Sequence, residues 1–261
     1  MTHNSFLDHC WFNYIDLAPQ AKSIWDDLKE LNESIGVDHI ALRTFNLPGI
    51  SMDDISKCLI HLGYHIKGDY EFKEKGLIAH HYDAGEDYPL IFVSQFDLDF
   101  LSQSNQTIIM ENLKPTQWEE LSLSRLAHHR PWAPPTKEVL DKVWEESEYA
   151  GWVLCHGLRV NHFTVDVNSL IKFQHLENLN EWLLEKQFLM NESGGLIKGT
   201  EKIGLKQSST MSPKINVHLA DGTYEIPGCY VEFSERFKVD GHLFRAFLGK
   251  SANNIFESTN R

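Results

Sequence analysis

Residues 37–45, VDHIALRTF, and residues 156–168, HGLRVNHFTVDVN, decide how this chain folds. Both read as strands with a histidine inside. In the second, Val160, His162, Thr164 and Asp166 alternate with Asn161, Phe163, Val165 and Val167, so the two sets belong on opposite faces. A valine would pack at position 162 with no polar atom to satisfy, so the imidazole needs a reason. Laid over each other, Asp38-His39-Ile40-Ala41-Leu42-Arg43 matches Asn161-His162-Phe163-Thr164-Val165-Asp166 in character, and the histidine recurs at the same point.

The surroundings of the two runs repeat as well. Before the first lies a helical pattern over residues 20–35, ending at Gly36; after it come a Pro48–Gly49 turn and a helix over 51–63. Ser51 suits the cap of that helix, and Asp53 and Asp54 suit its first turn. Strand patterns over 64–72, 76–83 and 89–96 complete a βαβββ order. The second run is followed by an amphipathic helix over 169–187, then FLMNES, IGLKQSSTM, KINVHLADG and GCYVEFSERF. Two further matches keep the same order: His81-Tyr82-Asp83-Ala84-Gly85 with His218-Leu219-Ala220-Asp221-Gly222, and Phe92-Val93-Ser94-Gln95 with Glu232-Phe233-Ser234-Glu235. Three matches in register predict an α+β fold made of two βαβββ modules, about 36–96 and 156–237, in one compact domain spanning 1–261. Helices over 112–123 and 135–149 are expected in the connection 97–150, and a helical segment over 240–261.

Composition narrows the function. With 42% hydrophobic and 23% charged residues the chain is an ordinary globular one. A formal charge of −13 repels nucleic acid and anionic lipid, so neither is an expected partner. Cys10, Cys58, Cys155 and Cys229 form no CxxC pair, which predicts reduced thiols in a cytoplasmic protein. The N-terminus carries no signal-peptide pattern and no stretch suits a membrane span.

If the modules pair about a pseudo-twofold axis, His39 and His162 point into one cavity. The last strand of the second module adds Glu232, where the first module carries Phe92. Two imidazoles and one carboxylate on one side of an ion form the facial triad of non-haem Fe(II) oxygenases, with the other positions open. Either histidine alone reads first as a hydrogen-bonded core or edge residue, and Glu232 as part of an exposed edge strand. A buried, unpaired carboxylate in CYVEF would cost several kcal/mol, roughly, so together the three favour a metal. Strand periodicity places Arg43 on the face of His39 and Ala41, where it can grip a carboxylate or form a surface ion pair. Gln207 and Ser209 share a strand face that can line the cavity. Arg245 is a second candidate cation or a helix-surface residue. His80–His81 and His128–His129 can each offer one ligand at most, the latter pair expected in solvent. His218 is expected to pack at a strand end, and Glu235 to lie on the face opposite Glu232.

DHIALRTF, NHFTVDV, LKQSSTM, YVEFSER and FLGKSANNIFEST together resemble the bacterial 2-oxoadipate dioxygenase/decarboxylase family, over most of the chain. That family is related to the vicinal-oxygen-chelate superfamily, so the resemblance implies a half-open barrel. The chain is shorter than the characterised members, which carry extra sequence in the second half. The resemblance implies Fe(II) held by His39, His162 and Glu232, a substrate carboxylate held by Arg43, and Gln207 orienting substrate or oxygen. The implied partners are a 2-oxo acid and O2, the implied reaction 2-oxoadipate to 2-hydroxyglutarate with release of CO2, and the implied setting lysine catabolism. The alternatives are a lyase, epimerase or hydrolase of the same superfamily using Zn, Ni or Mn, and a non-catalytic small-molecule binding module. Oligomeric state stays open.

Overall fold

The run around His39 becomes a central strand because both of its faces are covered. Ile40 and Leu42 are fully buried in the core on one side, while His39, Ala41 and Arg43 face an internal cavity on the other. The computed structural model describes residues 1–114, 121–126, 128 and 130–248. Helices α1 (His3–Ile15) and α2 (Pro19–Glu30) precede strand β1 (Gly36–Phe45), helix α3 (Met52–His61) and strands β2 (His65–Phe72), β3 (Leu77–Asp83) and β4 (Leu90–Phe96). The connection holds α4 (Gln103–Leu113), α5 (Lys137–Glu146) and α6 (Glu148–His156). The second half runs β5 (Val160–Asp166), α7 (Leu176–Glu185), β6 (Lys198–Thr200), β7 (Leu205–Ser209), β8 (Lys214–Leu219), β9 (Gly222–Pro227) and β10 (Tyr230–Arg236). A short hairpin of β11 (Lys238–Val239) and β12 (His242–Leu243) closes the described chain.

One eight-stranded sheet, ordered β2-β3-β4-β1-β5-β10-β7-β6, carries both modules. They join through the antiparallel pair β1–β5, where His39 lies opposite Thr164 and Ala41 opposite His162. That reciprocal register is the pseudo-twofold: each histidine faces the residue two places beyond the other. Outward from the axis the halves also correspond, since β4 runs parallel to β1 with Phe92 opposite Ala41, and β10 runs parallel to β5 with Glu232 opposite Thr164. The two-module α+β architecture is therefore present, as a curled, half-open barrel. Among the described residues no helix is long and apolar enough to cross a membrane. All four cysteines are free and buried.

The structure corrects several expected elements. Helix α2 stops at Glu30, short of Gly36, because Asn32 adopts a left-handed φ of 58° and the Glu33 amide returns to the Leu28 carbonyl. Helix α7 starts seven residues later than its apolar pattern, since the amides of Ile171 and Lys172 are taken by the Glu33 carboxylate and that of Leu176 by Glu235. The helix expected over 135–149 is two helices, broken at Ser147, whose extended backbone (φ −148°, ψ 112°) ends α5 and whose hydroxyl caps α6. Of the helix expected over 112–123, residues 112 and 113 end α4 and 121–123 are not helical, while 115–120 lie outside the described residues. Residues 240–248 are not helical: Asp240 and Gly241, at φ 51° and 85°, make the tight turn of the β11–β12 hairpin. The remainder of the expected C-terminal helix, 249–261, lies outside the described residues.

The repeat also needs one change of register. Strand β3 corresponds to β7, because His81 pairs with Phe92 and Ser209 with Glu232. The match of His81 to His218 was therefore misplaced. His218 lies on β8, in a separate two-stranded sheet with β9, inserted between β7 and β10.

Candidate metal centre

His39, His162 and Glu232 meet. Their buried ligand atoms lie within 4.8 Å of one another, and they are the one such group of His, Cys, Asp or Glu among the described residues. The two Nε2 atoms are 3.4 Å apart, and Glu232 places Oε1 3.3 Å from His39 Nε2 and Oε2 3.6 Å from His162 Nε2. Donors about 2.1 Å from a shared ion stand about 3.0 Å apart at right angles and about 3.4 Å apart at the tetrahedral angle. The observed separations match the wider angle and exceed the right-angle spacing by a few tenths of an ångström.

The hydrogen bonds show which nitrogens are presented. His39 Nδ1 is 2.7 Å from Asp38 Oδ2, and His162 Nδ1 is 3.2 Å from Asn161 Oδ1. Both acceptors fix the proton on Nδ1 and leave an Nε2 lone pair aimed into the site. Two imidazole nitrogens and a carboxyl group whose ionisation burial opposes converge on one point, where a cation would stabilise all three. The donor set therefore fits a divalent metal, and its mix of imidazole and carboxylate suits Fe(II), Mn, Zn or Ni. Outer-shell partners such as Asp38 also orient a ligating histidine and raise its basicity.

Period-two alternation would send Asp38 and Asn161 away from their own histidines. Each strand instead carries a register shift at that residue: β1 between Val37 and His39, and β5 where Ala41 pairs with His162 but Leu42 with Val160. Such bulges insert an unpaired residue and re-aim its side chain. The sequence signal was the dipeptide itself, Asp-His in one module and Asn-His in the other.

Burial and charge set the site's protonation. Burial lowers the pKa of His39 and drives that of His162 well below the usual histidine value, the latter helped by His39 and Arg43, so both imidazoles are neutral and free to act as ligands. Burial, reinforced by Asp38, raises Glu232 to about 8, and the bond from Gln207 Nε2 only partly offsets this. Burial would also raise Asp38, but Arg236 and the bonds from His39 and Arg236 hold it well below the ordinary carboxylate range.

The cavity over these ligands is lined by Ala41, Arg43, Phe92, Ser94, Asn161, Gln207, Tyr230, Phe247 and Leu248 as well. Arg43 is buried, donates from Nη1 to Glu148 Oε1 at 3.3 Å, and lies over the rings of Tyr149 and Trp152, 4.9 and 5.2 Å from their centres. Gln207 lines the cavity and holds Glu232. Ser209, opposite Glu232 in β7, is buried but is not part of the lining. Arg245 is not brought to the site. Its guanidinium is paired with Asp83 at 2.9 Å and donates to the carbonyls of Gly85 and Tyr88, because the chain there is a strap rather than a helix. Glu235 faces away from Glu232, accepting bonds from His175 and the Leu176 amide. His80 pairs with Asp69, His81 with the Tyr70 hydroxyl, and exposed His128 stacks on His9; His129 lies outside the described residues.

The sequence profile of the 2-oxoadipate dioxygenase/decarboxylase family matches residues 14–239. The chain belongs to that family. It is an enzyme of the oxygenase class. Within this family, the 2-oxoadipate dioxygenase/decarboxylase of Arabidopsis thaliana chloroplasts is 29% identical over 94% of this chain and 74% of its own length. The hydroxyglutarate synthase of Oryza sativa, solved in complex with 2-oxoadipate, superimposes with a TM-score of 0.90 at 27% identity, over 98% of this chain and 91% of that one. A protein of Shewanella frigidimarina NCIMB 400, assigned as a hydrolase, gives a TM-score of 0.85 at 34% identity, over 94% and 97%. A glyoxalase-superfamily protein of Ralstonia eutropha JMP134 shares the fold, with a TM-score of 0.78 at 18% identity, over 91% of this chain and 83% of that one.

Proposed function

We propose that this family member is an Fe(II)-dependent dioxygenase/decarboxylase that converts 2-oxoadipate to 2-hydroxyglutarate with release of CO2. The observation that carries the reading is the convergence of His39, His162 and Glu232 on a cavity whose wall also holds Arg43. The complex of the rice relative with 2-oxoadipate supports the substrate.

Bound there, Fe(II) would supply Lewis acidity toward the 2-oxo group and the redox partner for O2. The chain's own contribution is binding and exclusion. His39, His162 and Glu232 would hold the ion and leave room in the cavity for substrate and O2. Arg43 holds a substrate carboxylate in a buried setting, where its planar fork gives direction as well as charge. Gln207 steadies Glu232 and presents a neutral polar group beside the substrate. Phe92 stands at the position equivalent to Glu232 and walls the cavity without contributing a ligand.

Atoms balance with one CO2. The 2-oxo acid loses its first carboxyl carbon, one oxygen of O2 completes the carboxylate at the former keto carbon, and the other becomes the hydroxyl on the neighbouring carbon. The test is anaerobic loading with Fe(II), then O2 uptake across a panel of 2-oxo acids with CO2 and product quantified. Uptake with 2-oxoadipate, matched by equal CO2 and 2-hydroxyglutarate, supports the reading. Full Fe(II) loading without uptake on any 2-oxo acid turns it toward a redox-inactive metal enzyme, a lyase, epimerase or hydrolase. A binding module with its histidines turned apart is disfavoured by Nε2 atoms 3.4 Å apart.

A further inference from the structure

Arg236, the last residue of β10, is buried, and its guanidinium serves two groups at once. Nε and Nη2 hold the two oxygens of Asp38 at 2.5 and 2.9 Å, the bidentate arrangement that arginine makes with a carboxylate. Nη1 donates to the backbone carbonyls of Phe244 and Ala246 at 2.7 and 2.9 Å. Asp38 in turn accepts from His39 Nδ1. One unbroken chain of hydrogen bonds therefore runs from the strap at 244–248 through Arg236 and Asp38 to the ligand His39. The strap is also where the cavity is closed: the Phe247 ring meets His39 edge-on with centroids 4.7 Å apart, and Leu248 lines the cavity. Two latches independent of Arg236 hold it, the Arg245–Asp83 pair and the Phe247 amide donating to the Tyr70 hydroxyl at 3.1 Å.

We infer that Arg236 is a positioning residue that couples the seating of this strap over the cavity to the hold of His39 on the metal. When the strap lifts, Arg236 loses two carbonyl acceptors that fix its plane, Asp38 loses a rigid partner, and His39 loses the acceptor that sets its tautomer and orientation. Because coupling between two binding events is reciprocal, metal in the site must in turn seat the strap. The inference rests on His39 being a metal ligand, and goes beyond that reading in giving the strap a thermodynamic connection to the ion.

The experiment follows metal affinity and strap protection together, without turnover. Purified protein is titrated anaerobically with Fe(II), or with Co(II) as a spectroscopic probe, and amide hydrogen exchange is followed over 244–247. In the wild type, metal should slow exchange in the strap. Arg236→Gln should lower metal affinity about 10- to 100-fold, the range expected for an outer-shell partner, and erase the metal-dependent slowing. Arg236→Lys, which keeps the charge but not the fork, should recover part of both. Asp38→Asn, nearly isosteric, should also lower the affinity and carries the test if Arg236→Gln does not fold. Arg245→Gln should loosen the strap and weaken metal binding severalfold from outside the hydrogen-bond chain. A wild type that binds no metal overturns the metal-site reading and this inference with it. A wild type that binds metal while Arg236→Gln and Asp38→Asn bind as tightly, or whose strap exchanges at the same rate with and without metal, overturns the coupling alone.

Discussion

The two modules present the same histidine on the same strand in two different settings. His39 is backed by a carboxylate, Asp38, itself locked by Arg236, whereas His162 is backed by the neutral amide of Asn161. Across the axis the asymmetry reverses, since the second module supplies Glu232 where the first supplies Phe92. Duplication accounts for the cavity and its two imidazoles. What breaks the symmetry of the site is one carboxyl group placed in the cavity and another placed behind a histidine.

The largest expected effect comes from removing a shared element. His162→Ala should abolish iron binding and oxygen uptake, read by metal analysis and an oxygen electrode; full activity in that variant would sink the scheme. Restoring symmetry is the next test. Phe92→Glu places a carboxylate opposite Ala41, as Glu232 lies opposite Thr164. It should keep metal affinity at least at the wild-type level while lowering O2 uptake on the order of 100-fold, because a fourth protein ligand takes a position needed by substrate or O2. Tight metal binding with unchanged uptake would show that the open side lies elsewhere.

Arg43 belongs to the first module alone, since Asp166 occupies the matching place in the sequence repeat. Arg43→Lys should raise KM for 2-oxoadipate about 10-fold with a smaller change in kcat, as the loss of one charge-assisted bond of a bidentate pair would do. An unaltered KM would place the substrate carboxylate on another group.

The smallest effect lies at His156, the end of α6, outside the metal site. Burial, aided by Arg159, Arg130 and Arg43, lowers it to about 3, although the Pro227 carbonyl at 2.9 Å pulls the other way. The folded protein keeps this imidazole neutral, while the unfolded chain takes up a proton below about pH 6.5. Stability from His156 is thus present above 6.5 and lost as pH falls toward 3, at up to roughly 1.4 kcal/mol per pH unit. The urea midpoint should drop between pH 7 and pH 5, and His156→Gln should flatten that dependence.

The inner strands were legible because their constraint is local. VDHIALRTF and NHFTVDV carry their alternation and their histidines in sequence, and the β1–β5 register brings them face to face as the repeat requires. YVEFSER was legible for the same reason, an acid set among apolar neighbours in a buried strand. Asp38 and Asn161 were missed because a one-residue bulge overrides the period-two rule, and no periodicity announces a bulge. Arg236 and Phe247 were missed because their importance arises from contacts far apart in the chain. Arg245 was misplaced because a polar-apolar mix was read as a helix where Asp240–Gly241 signals a hairpin. Helix α4 escaped because it buries little, with only Asn105, Ile109 and Leu113 turned inward.

The excursion of β8 and β9 has a further consequence. Strands β7 and β10 are antiparallel neighbours, so the hairpin leaves the barrel and returns to it at adjacent points, with the Thr210 amide bonded to the Val231 carbonyl. Chain length can therefore change between Ser209 and Tyr230 at the modest entropic cost of a longer loop, without displacing Gln207 or Glu232. This is a natural graft point. A fluorescent tag or an additional domain carried on that hairpin, and sparing Asp221, which accepts from the Lys137 amide, would ride outside the barrel while His39, His162 and Glu232 keep their register.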